Sequence, residues 1–78
     1  MTNWQYERTM TPEQYVIAFR LLGLDQAKAA RVLGISERTS RRYVRGETEI
    51  PPAHALLLRA MLRYRVTPLV PDWQPEQN

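Results

Sequence analysis

The sequence predicts a compact all-α domain of four or five helices with an irregular arm at each end. Four segments repeat apolar residues at helical spacing, and capping residues, glycines or prolines mark where these segments begin and end. At 78 residues the chain suits a single domain with a small core. The predicted boundaries are an N-terminal arm at 1–10, the helical domain at 11–65 and a proline-rich tail at 66–78.

The first helix is predicted to begin after Thr11 and to run to about Leu22. Thr11-Pro12-Glu13-Gln14 combines a capping hydroxyl, a proline in the first turn and a glutamine placed to close a capping box. Gly23 then stops the helix. Helical spacing assigns one face to the core: Tyr15, Ala18, Phe19 and Leu22, with Ile17 and Leu21 widening the stripe.

Two shorter helices follow, joined through Leu33-Gly34-Ile35-Ser36. Asp25 caps the second helix. Ser36 caps the third helix and Gly46 suits the left-handed turn that ends it, so the third helix is bracketed between about Glu37 and Arg45. Such a layout is how a chain presents one helix to the major groove of DNA.

The third predicted helix concentrates its positive charge on one face. At 100° per residue its four arginines share one arc, and Tyr43 lies at the centre of the opposite face, which can pack against the domain. Four like charges on an exposed arc repel one another unless a polyanion supplies the counter-charge. The alternative is that these arginines form an ordinary solvated face. Only Glu37 interrupts the cluster of arginines, so we favour a DNA-binding surface. The arginines are Arg38, Arg41, Arg42 and Arg45.

The positive charge of the chain is local. Residues 26–46 hold six basic side chains and one acidic side chain, a balance of +5, while the net charge of the whole chain is +3. The remaining residues therefore sum to −2. A basic patch on a near-neutral surface indicates a directed site rather than general solubility.

The fourth helix is predicted to open at Pro51-Pro52 and to run to about Arg65. Its broad apolar stripe is assigned to the core and consists of Ala53, Leu56, Leu57, Ala60, Met61 and Tyr64. A narrower apolar strip lies roughly opposite, and a monomer would leave it exposed. We predict that this strip is a dimer interface, with cover by the flanking tails as the alternative. Its residues are Ala55, Leu58 and Leu62.

The two arms carry large apolar groups outside the predicted domain. Prolines at positions 68, 71 and 75 prevent a regular helix in the tail, which also holds Trp73. Trp4 and Tyr6 lie in the N-terminal arm. These aromatic side chains either anchor the arms onto the domain or belong to a subunit contact, and simple disorder is the third alternative.

Composition and motifs exclude several other classes of function. The chain has no cysteine, so neither disulfides nor a thiolate metal site is available, and no apolar run reaches membrane-spanning length. The N-terminus lacks the pattern of a signal peptide, and we expect a cytoplasmic protein. His54 has no second ligand at coordination spacing, so we expect no metal and no cofactor. Ser36 and Ser40 lack a base and an orienting acid nearby in sequence, so we expect no enzymatic activity.

Between Leu24 and Gly46 several residues form one recurrent pattern: Leu24-Asp25-Gln26, Ala30, Leu33-Gly34-Ile35-Ser36, Thr39, Arg42, Arg45 and Gly46. In this pattern the chain resembles the XRE family of helix-turn-helix domains, found in phage Cro and repressor proteins and in many bacterial antitoxins. The resemblance covers residues 12–65. It implies a lambda-repressor-like bundle that binds a palindromic operator as a homodimer without a cofactor, in a bacterial or phage-encoded protein.

The resemblance implies two kinds of DNA contact. Glu37, Arg38 and Arg42 match positions that commonly touch base edges, where arginine binds guanine and a carboxylate accepts from the amino group of cytosine. An acid favoured by the helix dipole is an equal interpretation of Glu37. The other positions match contacts with the phosphate backbone, which add affinity without sequence choice. These are Gln26, Ser36, Arg41 and Arg45.

Departures from the family pattern carry further expectations. Family members often pair an arginine in helix one with a glutamate in helix three, and Phe19 and Val44 occupy these positions, so we expect the two side chains to touch. Ser40 replaces an aliphatic residue, so either Tyr43 fills the space or the core is locally thin. The loop at 47–49 is acidic where relatives often present basic residues, which weakens the expected grip on phosphate.

Together these features predict a dimeric, sequence-specific DNA-binding transcription regulator, a repressor that acts by occupying its operator. Control through its own concentration is expected, as in autoregulating phage repressors or anti-CRISPR-associated regulators. The alternative is a protein-interaction module, such as an antitoxin whose tails bind a toxin, with DNA binding secondary. Trp73 and the prolines of the tail favour that alternative.

Overall fold

The computed structural model describes residues 8–66 together with Pro68 and Val70. This part of the chain forms four helices and no strand: α1 (Pro12–Leu21), α2 (Gln26–Leu33), α3 (Glu37–Arg45) and α4 (Pro52–Arg63). The predicted all-α class is therefore confirmed, and each of the four predicted helices is present. Trp4 and Trp73 lie outside the described residues, with most of both predicted arms.

α1 begins with a complete capping box. The Thr11 hydroxyl accepts a hydrogen bond from the Gln14 amide at 3.1 Å, and the Gln14 side chain accepts one from the Thr11 amide at 2.9 Å. These bonds satisfy amide groups that the start of a helix leaves without a partner. The helix ends at Leu21, and Gly23 takes the left-handed conformation (φ 78°) that turns the chain toward α2.

The core is built around α1, which packs against each of the other three helices. Tyr15 is fully buried, and its ring meets those of Phe19 and Tyr43 edge-on, at centroid distances of 5.2 and 5.5 Å. Edge-to-face packing is a favoured arrangement of aromatic rings. Val44 is half-buried against the same core, and its direct contact with Phe19 remains a prediction. Further buried apolar residues surround the rings: Ala18, Leu24, Ala29, Leu33, Ile50, Ala55 and Leu58.

A three-residue turn joins α2 to α3. Gly34 adopts φ 74°, and the amides of Gly34 and Ile35 return to carbonyl groups in the last turn of α2. Ser36 then starts α3, because its hydroxyl accepts a hydrogen bond from the Thr39 amide at 3.1 Å. Hydrogen bonds on both sides of the turn therefore fix the helix–turn–helix segment, residues 26–45.

Ser40 faces the core of the domain. It is fully buried, and its hydroxyl oxygen lies 2.6 Å from the hydroxyl oxygen of Tyr15. The same hydroxyl donates to the backbone carbonyl of Gln26 at 3.5 Å. A buried hydrogen bond therefore takes the place of the missing aliphatic side chain, an outcome that neither sequence-based expectation for Ser40 included.

The prediction for the two faces of α4 is wrong. Ala55 and Leu58, expected at a dimer interface, are fully buried, and Leu62 is half-buried against the same core. The stripe expected in the core is instead turned outward, with Leu56 and Leu57 exposed. The narrow strip therefore faces the core, and most of the broad stripe faces solvent.

Polar contacts explain this orientation of α4. The Nδ1 atom of His54 lies 3.2 Å from the Tyr43 hydroxyl, and the Arg59 guanidinium donates to the Thr9 carbonyl at 2.8 Å and to the Gln14 side chain at 3.3 Å. His54 and Arg59 flank the narrow strip, so each of them finds a hydrogen-bond partner when that strip faces inward. The broad stripe has more apolar residues, but it lies away from these polar partners.

Candidate nucleic-acid interface

α3 presents its arginines to solvent. All four are exposed, whereas Ser40 and Tyr43 are buried. The two sets occupy opposite sides of the helix at 100° per residue. The predicted division of α3 into a cationic outer face and a packed inner face is therefore present in the structure. The exposed arginines are Arg38, Arg41, Arg42 and Arg45.

Contacts on the inner face hold α3 in place. The Tyr43 ring packs against Tyr15, and the Tyr43 hydroxyl is hydrogen-bonded to His54 of α4. Ser40 adds the buried hydrogen bond to Tyr15 of α1. Gly46 ends the helix at φ 74°, with its amide directed at carbonyl groups of the last turn. Because α3 is held from several sides, the arginine face has a fixed orientation.

Two of the arginines form ion pairs with nearby glutamates. Nη1 of Arg41 is 3.2 Å from Oε2 of Glu37, one turn earlier, and Nη1 of Arg45 is 3.8 Å from Oε2 of Glu47. All four side chains are exposed, so each pair contributes about 1 kcal/mol at most and is screened by salt. A phosphate group can replace these carboxylates at little cost.

Arg38 and Arg42 make no ion pair with any residue that the structure describes. They are four positions apart and therefore neighbours on one face of α3. A guanidinium group offers a planar set of donors that matches guanine or phosphate in two parallel hydrogen bonds. Both side chains are exposed and therefore accessible to such a ligand.

Gln26 and Ser36, predicted to contact phosphate, lie at the starts of α2 and α3 and are half-buried. The Ser36 hydroxyl already bonds the amide and the hydroxyl of Thr39. The Asp25 carboxylate caps α2 by accepting from the Lys28 amide at 2.8 Å. The start of α2 therefore has an anionic cap, which competes with phosphate for that helix end.

Sequence reasoning missed the buried hydrogen bonds that connect α1, α2 and α3 through Ser40. Two signals were visible: a serine on the inner face of the third helix and a tyrosine in the apolar stripe of the first. Each needs a partner when it is buried. Tyr15 and Ser40 are 25 residues apart, so their pairing depends on how the helices pack rather than on local spacing.

Burial shifts the pKa values of the groups beneath α3. It raises the pKa of Tyr15, an effect that the hydrogen bond with Ser40 opposes, and it raises the pKa of Tyr43. Burial also lowers the pKa of His54. These shifts favour the neutral forms near neutral pH, so arginines and glutamates determine the charge of this surface.

Comparison with family models, curated proteins and solved structures finds no match for this chain. Within the part of the chain that the structure describes, no group of three or more histidine, aspartate or glutamate side chains could hold a metal ion. The helices of this part are also too short or too polar to span a bilayer. The interpretation of α3 therefore depends on its own geometry and charge.

Proposed function

We propose that this protein is a sequence-specific double-stranded DNA-binding transcription regulator that represses by occupying its operator. The supporting observation is the exposed pair Arg38 and Arg42 on a helix that the core holds in place. An α-helix of this kind fits the major groove of B-DNA, where base edges can be read. The resemblance of residues 24–46 to XRE domains supports the same function.

The proposal divides the surface of α3 by role. Arg38 and Arg42 read base edges, and each well-formed contact contributes about 1–3 kcal/mol of discrimination. Arg41 and Arg45 exchange their glutamate partners for phosphates and add affinity without sequence choice. Gln26 and Ser36 bring the starts of α2 and α3 to the DNA backbone.

Repression by occupancy requires no catalysis and no cofactor. A duplex covered by the protein is unavailable to polymerase, and the covered fraction follows the protein concentration by mass action. Control of its own gene by its own concentration is the simplest regulation of this kind. The proposed site of action is the bacterial cytoplasm, where operator DNA is located.

Selection of bound fragments from random duplexes, followed by binding titrations at several salt concentrations, tests the proposal. We expect Arg42→Ala to lower the preference for the selected sequence by about tenfold or more. We expect Arg41→Ala to weaken all duplexes alike and to reduce the slope of affinity against salt by about one. Arg20→Ala is the matched control, because it removes an equal charge from the exposed surface of α1.

Two results would reject this function. One is an equal effect of Arg42→Ala and Arg20→Ala on binding, and the other is an affinity that does not depend on salt. Either result would favour the protein-interaction module, in which binding of a partner protein replaces DNA recognition.

A further inference from the structure

A cleft lies where the end of α3 meets the starts of α1 and α4. It has a volume of about 250 Å³, and residues 8–10 and the loop at 48–50 complete its lining. Tyr43, which packs against α1 and is hydrogen-bonded to α4, forms part of its wall. We name it the Tyr43 cleft. Sites for drug-sized ligands measure about 300–1,000 Å³, so this cleft suits a smaller molecule.

The walls of the Tyr43 cleft are largely apolar. Ile50 belongs to the buried core, and Met10 packs against that core. Pro12 and Pro52, in the first turns of α1 and α4, add two rigid apolar surfaces. Apolar walls with a few polar groups are typical of small-molecule sites. The cleft can therefore hold an aliphatic or aromatic group.

Two opposite charges line the same cleft. Arg8 precedes α1 and Glu49 lies in the loop before α4, and both side chains are exposed. Neither forms an ion pair with the other or with any other residue that the structure describes. A ligand that carries both charges can therefore bind Arg8 by its anionic group and Glu49 by its cationic group without displacing a partner of either.

We propose that the Tyr43 cleft binds a free apolar amino acid. The carboxylate of this ligand accepts hydrogen bonds from the Arg8 guanidinium, its ammonium group donates to the Glu49 carboxylate, and its side chain packs against the apolar walls. A simple anion would be repelled by Glu49 and a simple cation by Arg8, so the two charges together favour a zwitterion.

The position of the Tyr43 cleft connects this ligand with α3. A Cβ atom at Gly46, the residue that ends α3, would lie 3.5 Å from Cγ of Pro12 in α1. A ligand in the cleft therefore touches the end of α3 and the start of α1 together, and it favours the arrangement in which the two are packed. On the proposed function, which this step requires, the amino acid acts as a corepressor that raises the affinity for DNA.

Amide NMR of the full-length protein without DNA tests the site, with L-leucine and L-phenylalanine as the two probes. We expect a dissociation constant of about 1 mM or tighter for at least one of them. The largest shifts should come from the amides of Met10, Gly46 and Glu49. Absence of saturable shifts up to about 10 mM of both amino acids overturns the proposal.

Derivatives of the amino acid that binds separate its two charges. The amide derivative lacks the carboxylate and the N-acetyl derivative lacks the ammonium group, so each should bind at least about tenfold more weakly than the parent amino acid. Derivatives that bind as tightly as the parent would show that the cleft does not recognise a zwitterion, which overturns the proposal.

Matched variants assign each charge to a side chain. Arg8→Gln and Glu49→Gln should each weaken binding of the amino acid at least about tenfold, and Glu49→Gln should not weaken the N-acetyl derivative further. Glu13→Gln and Arg20→Gln, at exposed positions of α1 outside the cleft, are the controls and should leave binding unchanged. Losses in the controls as large as those in the cleft variants would overturn the assignment of the site.

DNA titrations with and without the amino acid, at one salt concentration, test the corepressor step. A saturating amino acid should raise the DNA affinity of the unsubstituted protein about fivefold or more and leave that of Glu49→Gln unchanged. Binding of the amino acid with no change in DNA affinity overturns this step. A protein that binds the amino acid but no DNA refutes the proposed function, whereas one that binds DNA but no amino acid refutes the cleft, so the two failures are distinguishable.

Discussion

The hydrogen bond between Tyr15 and Ser40 satisfies two hydroxyl groups inside the core. Both side chains are fully buried, and their hydroxyl oxygens are 2.6 Å apart. A buried hydroxyl without a partner costs about 1–3 kcal/mol. The residue tolerated at position 40 therefore depends on the residue at position 15, and the pair fixes α3, which carries the arginines, to α1.

Loss of either hydroxyl is expected to lower the free energy of unfolding. Loss of both is expected to lower it by less than the sum of the two separate effects. Ser40→Ala should lower the free energy of unfolding by about 1–3 kcal/mol, because the Tyr15 hydroxyl then has no partner. Tyr15→Phe should cost about 1 kcal/mol, since Ser40 retains the Gln26 carbonyl at 3.5 Å. The double variant should cost less than the sum of the two, as measured by urea unfolding. Additive costs would show that the two hydroxyls do not stabilise each other.

His54 is expected to lower the free energy of unfolding at acidic pH. Because burial lowers its pKa below the ordinary value of 6.5, the unfolded chain binds a proton more readily than the folded domain does. The free energy of unfolding should therefore be insensitive to this group well above pH 6.5 and should fall as the pH drops through 6.5 toward the folded pKa. Urea unfolding between about pH 5.5 and 7.5 measures this change.

The matched variant for this measurement is His54→Gln, which keeps a polar group near the Tyr43 hydroxyl but does not titrate. Its unfolding free energy should be flat over the same pH range. An unchanged pH dependence in the variant would assign the effect to other groups.

At the scale of the helices, the sequence predicted what local contacts determine. The starts of α1 and α3 follow from Thr11 and Ser36, whose hydroxyls bond amides three residues later. The orientation of α4 could not be predicted in this way. It depends on the Arg59 bond to the Thr9 carbonyl, across 50 residues, and on the contact between Tyr43 and His54.

The candidate interface shows the same division between local and long-range causes. The outward orientation of the arginines was predictable, because helical periodicity leaves Tyr43 as the centre of the packed face. The ion pair between Glu37 and Arg41 has the common four-residue spacing and could also have been found. The hydrogen bond between Ser40 and Tyr15 could not have been found, because it depends on how α1 packs against α3.

Substitutions at Ser36 are expected to change the stability of the domain and its affinity for DNA in different ways. Ser36→Ala should lower the free energy of unfolding by about 1 kcal/mol, because the Thr39 amide loses its cap. Ser36→Asp should retain most of this stability, since aspartate is also a good cap. On the proposed function it should nevertheless weaken DNA binding, because it places a negative charge beside the phosphate backbone. Unfolding curves and DNA titrations of the two variants measure both effects.

A control for the capping effect is available at the start of α2. Asp25→Ser should preserve the cap on the Lys28 amide while removing a carboxylate from the start of α2. Asp25→Ser should therefore raise the affinity for DNA, whereas Ser36→Asp should lower it. Equal DNA affinities for all three variants would argue against contact between these helix ends and phosphate.

Across the whole molecule, the cationic face and the exposed apolar residues lie on different helices. The cationic face belongs to α3, whereas large apolar side chains are exposed on α1 and α4: Ile17, Leu21, Leu56 and Leu57. A domain of 78 residues can bury only part of its apolar area in one core. These exposed side chains are the apolar part that so small a core leaves on the surface.

On the proposed function, binding of two copies to one operator should appear as avidity on DNA. The full-length protein should bind an inverted repeat at least about tenfold more tightly than a single half-site, because the second domain binds at a high local concentration. Arg42→Ala should weaken binding to both duplexes, and Arg20→Ala, the control on α1, should behave as the unsubstituted protein does. Titrations of duplexes with one or two half-sites, at one fixed salt concentration, give both ratios. A protein that gains nothing from the second half-site would read DNA one domain at a time, which would contradict operator binding by two copies.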